Sequence, residues 1–221
     1  MVQQQSYDVV TITETWWNDS HSWSAAVDGY KLFKRDRKGV KGGGVALYIR
    51  EAFDAIGIET NDDGVECLWV RIKGKVNKAD ILLGVCYRPP NQEEEVDNLF
   101  YKQLEDASGS SALVLVGDFN LPDICWELNT AEKRQSRKSL ECVEDNFFSQ
   151  LVSEPTRGGT MLDLVLANRD GLVGDVVEGH LEHSDHKIIE VLIFGKIRRN
   201  INKTFTLDVW RADFGLFSRL I

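Results

Sequence analysis

Two strand-length segments with no polar side constrain this chain most. Residues 80–87 carry Ile81, Leu82, Leu83, Val85 and Cys86 almost without interruption, and Pro89-Pro90 stops the run. Residues 112–116 repeat the pattern and close on Gly117-Asp118-Phe119-Asn120. A strand lacking polar alternation has to be covered on both faces, so the chain predicts a layered fold with these strands deep inside a sheet. Further strands are predicted over 7–15, 30–35, 45–50, 161–167 and 187–194. Over 65–73, Leu68, Val70 and Ile72 alternate and fall on one side. Only two helices read well. One follows Pro89-Pro90, where Asn91 and Glu94 have the spacing of a capping box. Its apolar side holds Val96, Leu99, Phe100, Leu104 and Ala107, and Gly109-Ser110-Ser111 ends it. The other runs over about 136–151 with Leu140, Val143, Phe147 and Leu151 on one face. Many strands with two helices predict an α/β sandwich, with packed sheets and helices outside.

Charge removes two classes of function. A formal net charge of −9 in 221 residues argues against a protein held on DNA, or on a membrane surface, by bulk charge. No apolar run has the length of a membrane span. No basic stretch followed by an apolar one opens the chain, so no signal peptide is expected and an intracellular location is. Cys67, Cys86, Cys125 and Cys142 are widely spaced without a Cys-x-x-Cys pair, which predicts reduced, mostly buried thiols. After Gly195 the composition shifts: residues 196–203 hold four basic groups and no acidic one. Residues 208–221 read as a short amphipathic helix. The expected division is a folded domain over 1–194 and, over 195–221, a linker with the start of a connector.

Acidic and amide residues recur at predicted strand ends: Glu14 in Thr-Glu-Thr-Trp, Asp118 and Asn120 in Gly-Asp-Phe-Asn, Asp163 within Met-Leu-Asp-Leu-Val-Leu, and Asp185 with His186 after Ser184. Gly-Asp-Phe-Asn taken alone could be an ordinary turn, and Ser-Asp a strand start. Asp163 is harder to explain that way, since an aspartate among apolar neighbours costs several kcal/mol unless it is paired or bound. Carboxylates converging at one edge of a sandwich form a hard-oxygen site suited to Mg²⁺.

Taken in order, Thr-Glu-Thr-Trp, Tyr-Arg-Pro-Pro, Gly-Asp-Phe-Asn, Leu-Asp-Leu-Val-Leu and Ser-Asp-His resemble the endonuclease/exonuclease/phosphatase superfamily. Within it the pattern is most similar to the endonuclease domain of LINE-type non-LTR retrotransposons, of the avian chicken-repeat type. Ala212-Asp-Phe-Gly-Leu-Phe looks like the connector that precedes their reverse transcriptase. The resemblance implies a four-layer, DNase I-like α/β sandwich. It also implies a Mg²⁺-dependent endonuclease, with Mn²⁺ as substitute, that nicks DNA for target-primed reverse transcription. Such an enzyme acts in the nucleus, with element RNA or a reverse transcriptase of the parent polyprotein as further partners. Position by position, Glu14 corresponds to the metal-holding carboxylate and Tyr87 to a tyrosine on the scissile phosphate. Asp118 corresponds to the group that aligns or deprotonates water, and Asn120 to an amide steadying phosphate or water. Asp163 corresponds to the partner of the catalytic histidine, which His186 supplies, and Asp185 to its metal-associated neighbour. Thr160 and Ser184 stand where relatives carry supporting hydroxyls. The superfamily's first strand, with its Asn, has no counterpart, so one sheet is expected to lack a strand and leave its neighbours' backbones unpaired.

Two basic clusters are candidate DNA contacts. Residues 31–41 hold six basic groups and one acidic one, among them Lys34, Arg35 and Arg37; the second cluster holds Lys133, Arg134, Arg137 and Lys138. Each is equally readable as a solvated turn or helix start. Contacts of this kind position a protein on phosphates without reading sequence. Two other readings remain at this stage. One is a phosphatase of the same superfamily, acting on inositol phosphates or lipids, against which stands Leu164 where those enzymes usually place Arg. The other is a non-catalytic retroelement remnant.

Overall fold

A computed structural model describes residues 7–17, 25–37, 42–60, 64–74, 79–180 and 187–194, and the backbone of 201–208. The strands are β1 (Val9–Thr13), β2 (Tyr30–Arg35), β3 (Val45–Arg50), β4 (Ala55–Ile58), β5 (Cys67–Ile72), β6 (Ile81–Tyr87), β7 (Leu113–Asp118), β8 (Ile124–Cys125), β9 (Thr130–Ala131), β10 (Ser149–Gln150), β11 (Asp163–Ala167), β12 (Val173–His180), β13 (Lys187–Ile193) and β14 (Ile201–Asp208). Helices α1 (Glu94–Ser108) and α2 (Arg134–Asp145) complete the described elements.

Ten of the strands and both flanks of the core follow from the two fully apolar strands. β6 and β7 lie side by side, parallel, in a six-stranded sheet of order β10-β11-β7-β6-β5-β4. Parallel neighbours need a long crossover, and α1 supplies it. One face of this sheet packs against a second six-stranded sheet, β12-β13-β14-β1-β3-β2. Between them Val70, Leu83, Val85, Val114, Val116 and Val165 meet Val9, Val45, Leu47, Ile49, Ile189 and Val191. The opposite face of the first sheet presents Trp69, Leu82, Leu113 and Leu115 to Phe100 and Leu104 of α1 and to Cys142 and Val143 of α2. Outside the second sheet, Val10, Ile12, Ala46 and Tyr48 are covered by Tyr7, Trp17 and Ala25. The molecule is an α/β sandwich.

Local details depart from the sequence pattern in instructive ways. Helix α1 starts at Glu94 with Glu93 as its N-cap, and no side chain caps it. Asn91 is left outside, because the backbone turns at Pro89–Gln92 through a bond from Gln92 N–H to Pro89 O of 3.2 Å. Helix α2 ends at Asp145 instead of continuing to 151. Phe147 then takes a left-handed φ of 57° and is 84% exposed, while Phe148 goes into the core in its place. Leu99, expected on the core side of α1, is exposed.

The largest difference concerns residues 201–208, which the composition assigns to a linker. They form β14, parallel to β1 and antiparallel to β13. The physical reason is the one that made an absent strand costly: β1 and β13 are buried, and the polar edges facing each other between them need a hydrogen-bonded neighbour. The amphipathic segment expected at the C-terminus lies outside the described residues from 209 on.

Candidate active site

The second sheet contributes the end of β1. Beyond Thr13 the chain leaves extended geometry at once: Glu14 and Trp16 adopt left-handed φ values of 53° and 54°. For side chains of this size such a conformation costs on the order of 1–3 kcal/mol and persists only where neighbours impose it. The turn before β3 does so. Thr15 N–H donates to Gly44 O at 3.2 Å and Trp16 N–H to Gly43 O at 2.9 Å. Gly43 itself has a φ of 77°, and a Cβ there would lie 2.3 Å from Glu66 Oε2, so no other residue fits. The Glu14 carboxylate is thereby buried, with Trp16 Nε1 donating to its Oε2 at 3.4 Å.

The first sheet brings three chain segments to the same edge. Tyr87 ends β6 opposite Asp118, the last residue of β7, and Asp163 opens β11 opposite Asp118 on the other side. The approach of β6 and β7 is close: a Cβ at Gly117 would stand 1.8 Å from Cys86 O. Glycine is thus required one residue before Asp118. Asp118 is 0% exposed. Its Oδ1 accepts the backbone N–H of Asn120 at 3.0 Å and its Oδ2 accepts Asn120 Nδ2 at 2.8 Å. Asn120, left-handed at φ 47°, also donates Nδ2 to Arg88 O at 3.0 Å. Both amide hydrogens are therefore committed, which leaves Oδ1 as the acceptor end of the side chain.

Tyr87 joins the two sheets. Its hydroxyl donates to Glu14. Burial, followed by that hydrogen bond and the charges of Glu14, Asp118 and Glu66, pushes the phenol far above its usual range. Tyr87 is a neutral donor at any ordinary pH and cannot serve as a base.

Two groups at this edge escape sequence reasoning. Glu66, buried just before β5, accepts Gly44 N–H on Oε2 at 2.5 Å and faces Arg37 Nε across 3.1 Å on Oε1. Burial is the main cause that raises its carboxyl above the ordinary range, with Glu14 nearby adding to the effect against Gly44 and Arg37. Arg88 and Asp97 form a buried bidentate pair at 2.8 and 2.9 Å directly behind Asn120. Neither has a motif. Glu66 sits in Gly-Val-Glu-Cys, and Asp97 reads as one more acid in an acidic helix start.

Asp163 is buried, and its backbone N–H donates to Thr156 Oγ1 at 3.0 Å. Thr156, not Thr160, supplies the hydroxyl here, and Thr160 Oγ1 donates instead to Arg157 O. Thr156 O in turn accepts Lys187 N–H at 3.2 Å, which ties the start of β13 to this loop. Ser184, Asp185 and His186 lie outside the described residues.

The basic candidates separate. Arg37 stands beside Glu66 at the site, Lys34 pairs with Asp36 at 2.5 Å, and Arg35 Nη1 donates to Thr60 at 2.6 Å. In the second cluster, Arg134 and Lys138 both meet Glu94, Arg137 donates to Glu132 O, and the Lys133 N–H bonds Asp123. That cluster borders α1 and is held by its own acidic neighbours.

A divalent cation suits the donor chemistry. Glu14, Asp118, Asn120 and Tyr87 offer oxygen atoms, and Thr15 Oγ1 beside them is buried without a hydrogen-bond partner among the described residues. Among those residues no three His, Cys, Asp or Glu side chains close on a common point. Hard-oxygen donors of this kind suit a divalent cation that keeps several of its waters.

A buried carboxylate stands at the end of a strand in each of two packed sheets, and a tyrosine joins them. The Endonuclease/Exonuclease/phosphatase family matches residues 1–186, and the chain belongs to it. The fold is DNase I-like. It is similar to the endonuclease domain of TRAS1, a telomere-specific non-LTR retrotransposon, at TM-score 0.69 and 18% identity over 90% of each chain. It is also similar to a 3'-5' exonuclease (NExo) from Neisseria meningitidis, at 0.62 and 16% over 84% of this chain and 89% of that one. The Neisseria 3' phosphatase NExo bound to product DNA hairpin aligns at 0.56 and 16%, over 81% and 86%. No curated protein sequence matches the chain.

Proposed function

We propose that this protein is a Mg²⁺-dependent DNA endonuclease of a non-LTR retroelement, nicking one strand to leave a 3′-hydroxyl for reverse transcription. The carrying observation is the convergence of Glu14, Tyr87, Asp118 and Asn120 at one edge of the sandwich, two of them in strained left-handed conformations. The similarity to the TRAS1 endonuclease domain and to a DNA-bound neighbour supports DNA over other phosphoesters.

Glu14, together with Asp185, would hold the cation, which neutralises charge on the phosphoryl oxygens and polarises the ester. Tyr87, held neutral, donates to Glu14 or to a phosphoryl oxygen placed beside it. Asp118 locks Asn120 through two hydrogen bonds, and Asn120 Oδ1 accepts from the attacking water and fixes its direction. Asp163 and His186 form the pair that manages protons at the phosphate, with Asp163 raising the histidine's basicity and fixing its tautomer. Arg37 contacts a flanking phosphate, backed by Lys34 and Arg35. Residues 209–221 continue toward a reverse transcriptase, and the enzyme acts in the nucleus.

The test is supercoiled-plasmid nicking by the 221-residue chain in Mg²⁺ or in EDTA, beside Glu14→Ala, Asp118→Ala and His186→Ala. Nicking that needs the metal and falls by about 10² or more in each variant supports the assignment. Equal nicking by wild type and variants overturns it, and so does turnover of a soluble phosphomonoester without turnover of DNA. A folded chain with no metal-dependent turnover of either is a binding remnant.

A further inference from the structure

Trp16 has no part in the chemistry described above, and its placement is hard to explain by folding alone. Trp17 and Trp69 are buried and Trp126 is partly so, yet Trp16 leaves 50% of its surface in water. Its backbone is left-handed at φ 54°, an unfavourable choice for an indole, and Gly43 O holds it there through the 2.9 Å bond from Trp16 N–H. The ring is braced as well as exposed. Gly42 lies under it so closely that a Cβ at 42 would meet Cζ2 at 3.4 Å, and Nε1 points back to Glu14 Oε2 at 3.4 Å. A large aromatic plane is therefore fixed beside the Glu14 carboxylate, and Gly43, which holds its backbone, also approaches Glu66 and its partner Arg37. Burying that surface inside the fold would have stabilised it; presenting it rigidly to solvent favours a ligand with a flat face.

We propose that Trp16 is a substrate-positioning residue on which one base of the DNA, flanking the scissile phosphate, stacks. The inference rests on the endonuclease reading and names which part of the substrate this edge recognises. A phosphate located by Glu14 and Tyr87 has its own nucleotides within a few ångströms, so a base tilted out of the duplex stack meets the indole as the backbone meets the metal site. Stacking is tolerant of base identity but requires a base, which gives selectivity for deformable steps over particular letters.

The experiment is a double-mutant cycle on one duplex oligonucleotide with a mapped nick. A tetrahydrofuran abasic residue replaces each flanking base in turn, and each substrate is cut by wild type, Trp16→Ala and Trp16→Phe. For wild type, kcat/KM is expected to drop roughly ten- to a hundredfold at one flanking position, the range of base–aromatic stacking. Trp16→Ala should show that loss on the intact duplex and no further loss at the abasic position, while Trp16→Phe, which keeps a ring, falls less. Wild type indifferent to every abasic position overturns the proposal without any variant, and so does a Trp16→Ala enzyme whose loss multiplies with the abasic loss. Metal-dependent nicking of the intact duplex by wild type, abolished in Glu14→Ala, keeps the endonuclease reading standing in either case. Thermal melting of each variant separates lost contact from lost fold.

Discussion

Removing Asp97 should unfold the support behind Asn120. The Arg88 and Asp97 side chains are 6% and 2% exposed, and the carboxylate accepts Arg88 Nε and Nη2 at 2.8 and 2.9 Å. It also accepts Gln92 Nε2 at 2.7 Å and Gln135 Nε2 at 3.2 Å, so it ties the β6 end, α1 and α2 together. Asp97→Ala leaves a guanidinium buried with no counter-charge, a change that costs roughly 3–5 kcal/mol. Against a typical total of about 5–15 kcal/mol that is roughly a fifth or more of the stability. At about 2–4 °C per kcal/mol for a chain of this size, the melting temperature should fall by about 6–20 °C. Urea unfolding measures it directly: the midpoint should drop with the slope unchanged. Replacing both partners, Arg88→Met with Asp97→Leu, should recover at least half the loss, because no charge is then stranded. Nicking by Asp97→Ala, assayed well below its midpoint, should still fall about tenfold, since Arg88 O holds Asn120 Nδ2. A single variant within about 1 kcal/mol of wild type would refute the reasoning. A double variant as damaged as the single one would do the same.

Four further outcomes follow from the same geometry. Gly117→Ala places a methyl against Cys86 O and should abolish cooperative melting, since β6 and β7 cannot both stay paired. Tyr87→Phe should melt within about 1.5 kcal/mol of wild type yet nick about tenfold or more slowly, separating the donor role from packing. Burial holds the Cys142 thiol at about 11, up from 9.0, and the hydrogen bond with Cys67, followed by burial, raises Cys86 as well. The unfolded chain then ionises first as pH passes 9, so stability should decline between pH 9 and 11, and Cys142→Ala should make that decline shallower in melts at pH 8, 9 and 10. Arg37→Ala should weaken DNA binding and reduce the log–log salt slope by about one, whereas Arg134→Ala, already facing Glu94, should leave the slope nearly unchanged.

How much of this was legible in the residues depended on range. β6, β7 and β11 are plain because both faces are apolar, and Asp118, Asn120 and Asp163 stand out as polar breaks in such runs. β4 and β12 are not legible: they are edge strands with mixed, partly exposed faces, and their pairing with β5 and β13 is decided by those neighbours. Asn91 carries the spacing of a cap, but Pro89 turns the backbone first and the helix begins later. Phe147 fits the helical period, yet the helix stops two residues earlier, at Asp145, and leaves it in solvent. Glu66 and Asp97 carry no local sign because their partners, Gly44 and Arg37 for one and Arg88 for the other, lie 22, 29 and 9 residues away. Long-range electrostatic pairing leaves no period in a sequence.

The core between the sheets has a second role that its hydrophobicity hides. Glu14 hangs from one sheet, and Tyr87 and Asp118 hang from the other. The opening between them is set by the thickness of the apolar layer, by Val9, Leu47, Val85 and Val116 as much as by any polar group. Cores of this density do not compress. The aliphatic layer works as the spacer of a caliper, and a methylene added deep inside it widens the jaws at the edge. Variants of this kind would lose nicking while Glu14, Tyr87 and Asp118 all remained present.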